Sequence, residues 1–120
     1  MRLAVIGSLI AGVLGLFNWG TGNTYINPLG YCQLTASSAA ALVSTCTGGI
    51  PATSQWATIC VETANIRWRD DGTAPTTSVG MPVSSGQCFY YNSKFSALSV
   101  IAQSGSPVLD ISFYDGPGWQ

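Results

Sequence analysis

The chain contains no histidine among its 120 residues. Histidine is the most common general base, a frequent metal ligand and the side chain that titrates near neutral pH. Its absence excludes catalytic sites of the Ser-His-Asp and Cys-His types. The five carboxylates show no spacing that identifies a catalytic pair, although two carboxylates can meet in space while far apart in sequence. We therefore expect no catalytic residue and no enzymatic activity.

Charged side chains are also scarce. Asp, Glu, Lys and Arg make up 8% of the sequence, against roughly 25% in an average soluble domain. The net charge of −1 provides no basic surface that would follow a nucleic-acid backbone, so we expect no nucleic-acid partner. Because so little charge is present to solvate the surface, we expect neighbouring subunits to cover much of it.

The cysteines lack the spacing of a metal site. They form no CxxC pair, and no histidine is present to complete a tetrahedral zinc site, so we expect neither a metal nor another cofactor. An even number of cysteines permits two disulfides in three connectivities, while free buried thiols are the alternative. Oxidised cysteines would indicate a location outside a reducing cytosol. The candidates for disulfide bonding are Cys60, Cys88, Cys32 and Cys46.

Among these cysteines, we expect at least one bond and favour Cys60 with Cys88. Both lie on predicted strands, where they would be cross-sheet partners. Cys32 is predicted in a loop and Cys46 beside one. For these two residues an internal bond and a bond to a neighbouring subunit both remain open.

An apolar run occupies residues 3–17, directly after Arg2. This arrangement has the outline of a secretory signal peptide, but no clear small-x-small cleavage site follows Phe17. The run is shorter than the about 20 apolar residues of a membrane span. Three interpretations of this segment remain open: a retained arm, a signal peptide and a membrane anchor. We favour a retained apolar arm over residues 1–22, with no membrane span.

The large apolar side chains of this arm fall near one face of a helix, although several glycines lower its helix propensity. Such a helix would either pack on its own domain or dock on a neighbouring subunit. We favour docking, because an apolar segment of this length left in water would associate. The predicted interface residues of the arm are Leu3, Ile6, Ile10, Leu14 and Phe17.

From Gln55 onward, apolar and polar residues alternate with the period of two that is typical of strands. The alternating segments follow one another at about ten-residue spacing with turn signals between them, which indicates a small antiparallel β-sandwich or barrel. Residues 18–55 are predicted to be loop and weak strand. We expect a single all-β domain over residues 23–120. Its predicted strands cover 55–62, 66–69, 87–91, 95–102 and 107–114, and its predicted core contains Ile59, Val61, Ile66, Trp68, Leu109, Ile111 and Phe113.

Aromatic residues cluster in the strand that contains Phe89, Tyr90 and Tyr91. Together with Trp56 and Trp68, they are candidates for a platform on which a sugar stacks. Alternation directs about half of the rings of a strand toward the core, and aromatic residues are good strand formers. We therefore favour core and interface positions over a ligand platform.

Charge is concentrated where the second predicted strand ends, at Arg67, Arg69, Asp70 and Asp71. Gly72 and Pro75 follow and predict a turn. If exposed, ion pairs within this corner would contribute only about 0 to 1 kcal/mol. In an interface the same guanidinium groups would be anchors. We expect these four residues to lie in a subunit interface.

The segment 64–81, with its Arg-Trp-Arg-Asp-Asp-Gly core followed by Thr-Ala-Pro-Thr-Thr-Ser-Val-Gly-Met, resembles a block found in small proteins encoded among the virion structural genes of tailed bacteriophages. Segments 95–102 and 108–114 are similar to that family's closing strands, so the resemblance covers about residues 33–115. It implies a small β-structured virion component and carries no catalytic residue. The apolar arm and the cysteines depart from the family's usual outline.

From this resemblance we expect a non-enzymatic virion protein that forms homo-oligomers and contacts other virion structural proteins. Capsid decoration or a spike is the favoured role, and a neck or tail component is the other. The competing class is a secreted carbohydrate-binding or adhesion module, which would use the signal-like N-terminus and the tyrosine-rich strand.

Overall fold

The alternating segments of the sequence form strands that bury one face and expose the other. A computed structural model of the protein describes residues 25–117. Two short 3-10 turns, Val43–Thr45 and Phe95–Ala97, accompany the strands. The strands of the described region are β1 (Asn27–Thr35), β2 (Ala41–Leu42), β3 (Trp56–Glu62), β4 (Ile66–Arg69), β5 (Met81–Val83), β6 (Cys88–Tyr91), β7 (Ser99–Ala102) and β8 (Val108–Asp115).

These strands form two four-stranded antiparallel sheets, ordered β1-β8-β3-β6 and β2-β7-β4-β5. Residues Asn27–Asp115 make up one compact unit, and the apolar faces of its two sheets meet in a shared core. The predicted all-β antiparallel sandwich is confirmed.

The core contains the inward-facing residues that the alternation identified. Ile59, Ile66 and Phe113 are all fully buried, as are Leu109 and Ile111. Alternation identified these positions correctly because a shift of one residue would expose every one of them.

The prediction that Trp68 lies in the core is wrong. Its side chain is only partly buried and packs against the core from the side. The neighbouring strand β5 is a three-residue edge strand, so the ring is left incompletely covered. Trp68 therefore belongs to the boundary of the core and is available to line a surface groove.

Three strands lie outside the five predicted strands. β1 and β2 lie in the segment predicted as loop and weak strand, and β5 lies within the predicted connection after Gly72. β1 contains Pro28, Gly30 and a register irregularity between them, and only Cys32 is fully buried in it, so its alternation is weak. All three are edge strands of their sheets, where proline is tolerated.

The strand predicted over 95–102 is also shorter than expected. A 3-10 turn at Phe95–Ala97 precedes β7, which begins at Ser99. Leu98 and Val43 are joined by a backbone hydrogen bond of 2.9 Å, so the two 3-10 turns lie side by side. Phe95 lies in this turn and not on a strand, and its buried ring packs against Tyr91 and Phe113.

Two disulfides form, Cys60–Cys88 and Cys32–Cys46. Cys60 and Cys88 are register partners on the neighbouring strands β3 and β6, with their Cα atoms 3.9 Å apart. The predicted pair is confirmed, although it joins two strands of one sheet and does not cross between sheets. Cys32 lies on β1 and not in a loop, and its bond to Cys46 is internal.

The predicted arm over residues 1–22, with its interface candidates Leu3, Ile6, Ile10, Leu14 and Phe17, lies outside the described residues. Within residues 25–117 there is no helix of the length and apolar character needed to cross a membrane.

Candidate functional site

The charged corner lies at the end of β4. Because Ile66 points into the core, alternation places Arg67 and Arg69 on the outer face of the sheet. Asp70 and Asp71 follow the last residue of the strand, and the chain returns to β5 through residues 72–80. Two glycines with positive φ, Gly72 at 87° and Gly80 at 143°, allow the chain to reverse here.

Arg69 and Asp71 form a two-point ion pair. The Nε of Arg69 donates to Oδ1 of Asp71 at 3.0 Å, and its Nη2 donates to Oδ2. This hydrogen bonding lowers the pKa of Asp71 and raises the pKa of Arg69. Because both side chains are partly exposed, the ion pair adds little to the stability of the fold. Its main effect is to fix the positions of the two side chains at the corner.

Arg67 has a different role from Arg69. Its Nε donates to the carbonyl of Thr77 at 3.1 Å and its Nη1 to the carbonyl of Gly80 at 2.9 Å. Among the described residues it makes no ion pair. Arg67 therefore holds the returning loop against β4, and Pro75 of that loop is buried.

Asp70 joins the corner to the opposite sheet. The hydroxyl of Tyr91, on β6, donates to Oδ2 of Asp70 at 3.0 Å, and it also lies 3.1 Å from the carbonyl of Lys94. Burial, with a smaller effect from Asp70, raises the pKa of Tyr91 to about 12. This phenol therefore stays protonated, and remains a hydrogen-bond donor, over the physiological pH range.

A groove of about 500 Å³ opens beside the corner. Its apolar floor contains Trp68, whose ring stacks on Phe89 with centroids 5.4 Å apart and an interplanar angle of 4°. Val79 and Met81 are 52% and 56% exposed, unusually high for large apolar side chains. The lining residues are Trp68, Arg69, Asp70, Asp71, Val79, Gly80 and Met81.

Three of the four predicted corner residues, Arg69, Asp70 and Asp71, line this groove, whereas Arg67 is not in its lining and bonds to the returning loop. Val79 and Met81 were not among the predicted site residues. The sequence feature that could have identified them is their apolar character immediately after a polar turn segment. Their approach to Trp68 depends on the register Trp68↔Met81 between β4 and β5.

A second group of charged residues lies on the outer face of the other sheet. Tyr31 donates to Oδ1 of Asp110 at 2.6 Å, and the side-chain amide of Gln33 donates to the same oxygen at 2.7 Å. A hydrogen bond between the carboxyl groups of Glu62 and Asp110 raises the pKa of Glu62 and lowers that of Asp110. Glu62 and Asp110 therefore form an interacting pair of carboxyl groups on an exposed sheet surface.

The aromatic residues divide between the two faces of β6. Phe89 and Tyr91 pair with the buried Ile59 and Ala57 and face inward, while Tyr90 faces outward. Trp56 is 6% exposed and stacks on Tyr114 at 4.3 Å, with Tyr90 at 5.2 Å. The indole N–H of Trp56 has no hydrogen-bond acceptor among the described residues.

Within residues 25–117, no group of three or more His, Cys, Asp or Glu side chains is placed to hold a metal ion. What the groove offers is recognition chemistry: an apolar floor, a fixed ion pair and one further carboxylate at its edge. Comparisons of the chain with protein-family models, with curated proteins and with solved structures found no match.

Proposed function

We propose that this chain is a non-enzymatic structural protein of a bacteriophage virion, which assembles into the particle through subunit interfaces. One observation carries the proposal: every residue that lines the groove belongs to the segment 64–81, on which the resemblance to phage virion proteins depends. The part of the chain with the most specific sequence is thus also the part with an exposed apolar recognition surface.

The chemistry of the groove favours binding to another protein. Aromatic residues, methionine and arginine are enriched in protein interfaces, and Trp68, Met81 and Arg69 are present together here. The ion pair between Arg69 and Asp71 already fixes the guanidinium group, so little side-chain entropy remains to be lost on binding.

The composition and the disulfides support an extracellular particle. Two disulfides in a small domain are typical of proteins that persist outside a reducing cytosol. Very few charged side chains are available to solvate the surface, which suits a subunit partly covered by its neighbours. Within a virion we favour capsid decoration or a spike, with a neck or tail position as the other structural role.

The test is whether the protein is part of purified particles. Phage particles from a culture that produces this chain would be banded by density and analysed by quantitative mass spectrometry. We expect the chain at a constant ratio to the major capsid protein, and we expect labelled antibodies to mark the particles in electron micrographs. Protein recovered only in the soluble fraction would contradict the proposal. A soluble monomer that binds glycans would favour a secreted carbohydrate-binding or adhesion module.

A further inference from the structure

We propose that the groove at the end of β4 binds the apolar arm, residues 3–17, of a second copy of the chain. This inference rests on the proposed function, because assembly into a particle is what would bring copies of the chain together. It assigns a specific occupant to the groove formed by Trp68, Val79, Met81 and the charged corner.

The groove has suitable dimensions and chemistry for this occupant. Clefts of roughly 300 to 1,000 Å³ take drug-sized ligands, so a groove of about 500 Å³ can take some of the arm's side chains but not the whole segment. Its floor is held rigid, because Trp68 stacks on Phe89 and meets Tyr91 edge-on at 5.9 Å. Met81 and Val79 project beside this floor with more than half of their surface exposed.

The arm has the sequence pattern that such a groove recognises. Helices that bind in apolar grooves present large side chains at spacings of three and four residues. The arm has this spacing throughout, and its large residues would form one continuous stripe if the segment is helical. The stripe consists of Leu3, Ile6, Ile10, Leu14 and Phe17.

Charge complementarity favours the arm over an unrelated apolar segment. The groove lining contains one cation, Arg69, and two carboxylates, Asp70 and Asp71. Arg69 is paired with Asp71, while Asp70 accepts only the neutral hydroxyl of Tyr91 among the described residues, so the corner keeps one unneutralised negative charge. Arg2 supplies a positive charge immediately before the apolar run. The N-terminal end of a helix, itself partly positive, would therefore lie at the acidic corner.

Sedimentation velocity of the full chain over a range of concentrations tests this contact. Met81→Glu places a charge in the apolar groove beside Asp70 and Asp71. We expect it to weaken self-association by roughly tenfold or more. Leu42→Glu is the matched control, because Leu42 is 42% exposed and lies on β2, outside this groove. The control variant is expected to associate like the unmodified chain.

A double-mutant cycle then identifies the occupant. Ile10→Glu changes the arm and is expected to weaken association as Met81→Glu does. Combining the two changes should weaken it little further, since both remove one and the same contact. Val79→Glu replaces Met81→Glu if the latter does not fold by circular dichroism.

Three results would overturn the inference: an unmodified chain that is monomeric at every concentration, groove variants that associate normally, or effects of the two substitutions that simply add. These outcomes are separable from the test of the proposed function. A chain found in particles without coupling between arm and groove would contradict only this inference. Coupling in a chain absent from particles would contradict only the virion assignment.

Discussion

Gly80 shows how a single residue shapes the candidate site. Its φ of 143° is in the region that side chains rarely adopt, and a Cβ added there would lie 3.1 Å from the Cβ of Arg67 and from the carbonyl oxygen of Trp68. Gly72 has a φ of 87°, but a Cβ at that position would meet open space. Substitution at Gly72 therefore introduces backbone strain alone, whereas substitution at Gly80 introduces strain together with a steric clash.

We predict that Gly80→Ala lowers the free energy of unfolding by about 2 to 4 kcal/mol, because it adds a clash to a strained backbone. Gly72→Ala should cost only about 1 kcal/mol, since strain is its sole penalty. Urea unfolding followed by tryptophan fluorescence measures both values. Equal losses for the two variants would show that the close approach of Gly80 to β4 is unimportant.

The carboxyl pair of Glu62 and Asp110 predicts a specific pH dependence of stability. The pKa of Glu62 is raised in the folded protein, so its stabilising contribution is present below the ordinary value of 4.5 and is lost as the pH rises through the raised pKa. The pKa of Asp110 is lowered, so its contribution is present above 3.8 and is lost as the pH falls through the lowered pKa. The pair is therefore expected to stabilise the fold most in weakly acidic solution.

We predict that Glu62→Gln reduces the loss of thermal stability expected of the unmodified chain as the pH rises from 4.5 through the raised pKa of Glu62, because an amide can donate to Asp110 without ionising. Differential scanning calorimetry across this range measures the effect. Asp71→Asn is the control, since the lowered pKa of Asp71 affects stability on the acidic side and should leave the change toward neutral pH intact. Identical profiles for the Glu62 variant and the unmodified chain would contradict the prediction.

At the scale of elements, the two disulfides differ in their surroundings. Cys32 and Cys46 are 3% and 4% exposed, and their bond connects β1 to the turn after β2. Cys88 is exposed on the edge strand β6, and its bond to Cys60 holds that strand to β3. Accessibility to a reductant is therefore very different for the two bonds.

We predict that a mild dithiol reductant opens Cys60–Cys88 first and leaves Cys32–Cys46 intact, because the attacking thiolate must reach a sulfur atom. Alkylation followed by peptide mass spectrometry, sampled over time, identifies the order. Loss of Cys60–Cys88 should lower the free energy of unfolding by roughly 3 to 4 kcal/mol in the chain-entropy model. Equal rates of reduction would show that both bonds are equally accessible.

The predictability of individual elements followed the strength of their sequence pattern more than their position in the sheets, since the aromatic-rich edge strand β6 was predicted. β3 and β8 are central strands with a buried apolar face, and their alternation identified them from sequence. β1 and β5 are edge strands with few buried residues, and their alternation was too weak to identify them. A strand that is stabilised mainly by pairing with one neighbour leaves little signal in its own side chains.

At the scale of the whole molecule, the compact unit Asn27–Asp115 contains its own core and both disulfides. We predict that deleting residues 2–17 leaves this unit folded but weakens assembly. Burial of six large apolar side chains from the arm, the five of the stripe and Val13, would contribute about 9 kcal/mol or more before entropy losses. Circular dichroism would report a retained β spectrum, and sedimentation would report smaller species. Normal incorporation of the shortened chain into particles would show that the arm is dispensable.

The sequence by itself determined the all-β class and the inward-facing residues such as Ile59 and Phe113, because alternation is a local property of the chain. It favoured the Cys60–Cys88 bond by placing both cysteines on strands, but the pairing itself is set by the register of β3 and β6. Only the tertiary structure decided which partners each charged side chain takes. Arg67 and Arg69 are equivalent in the alternation, yet one bonds to loop carbonyls and the other to Asp71. Likewise, Glu62 meets Asp110, and Trp68 meets Met81, only through the register of paired strands. Register depends on contacts between distant segments, and a linear pattern does not contain that information.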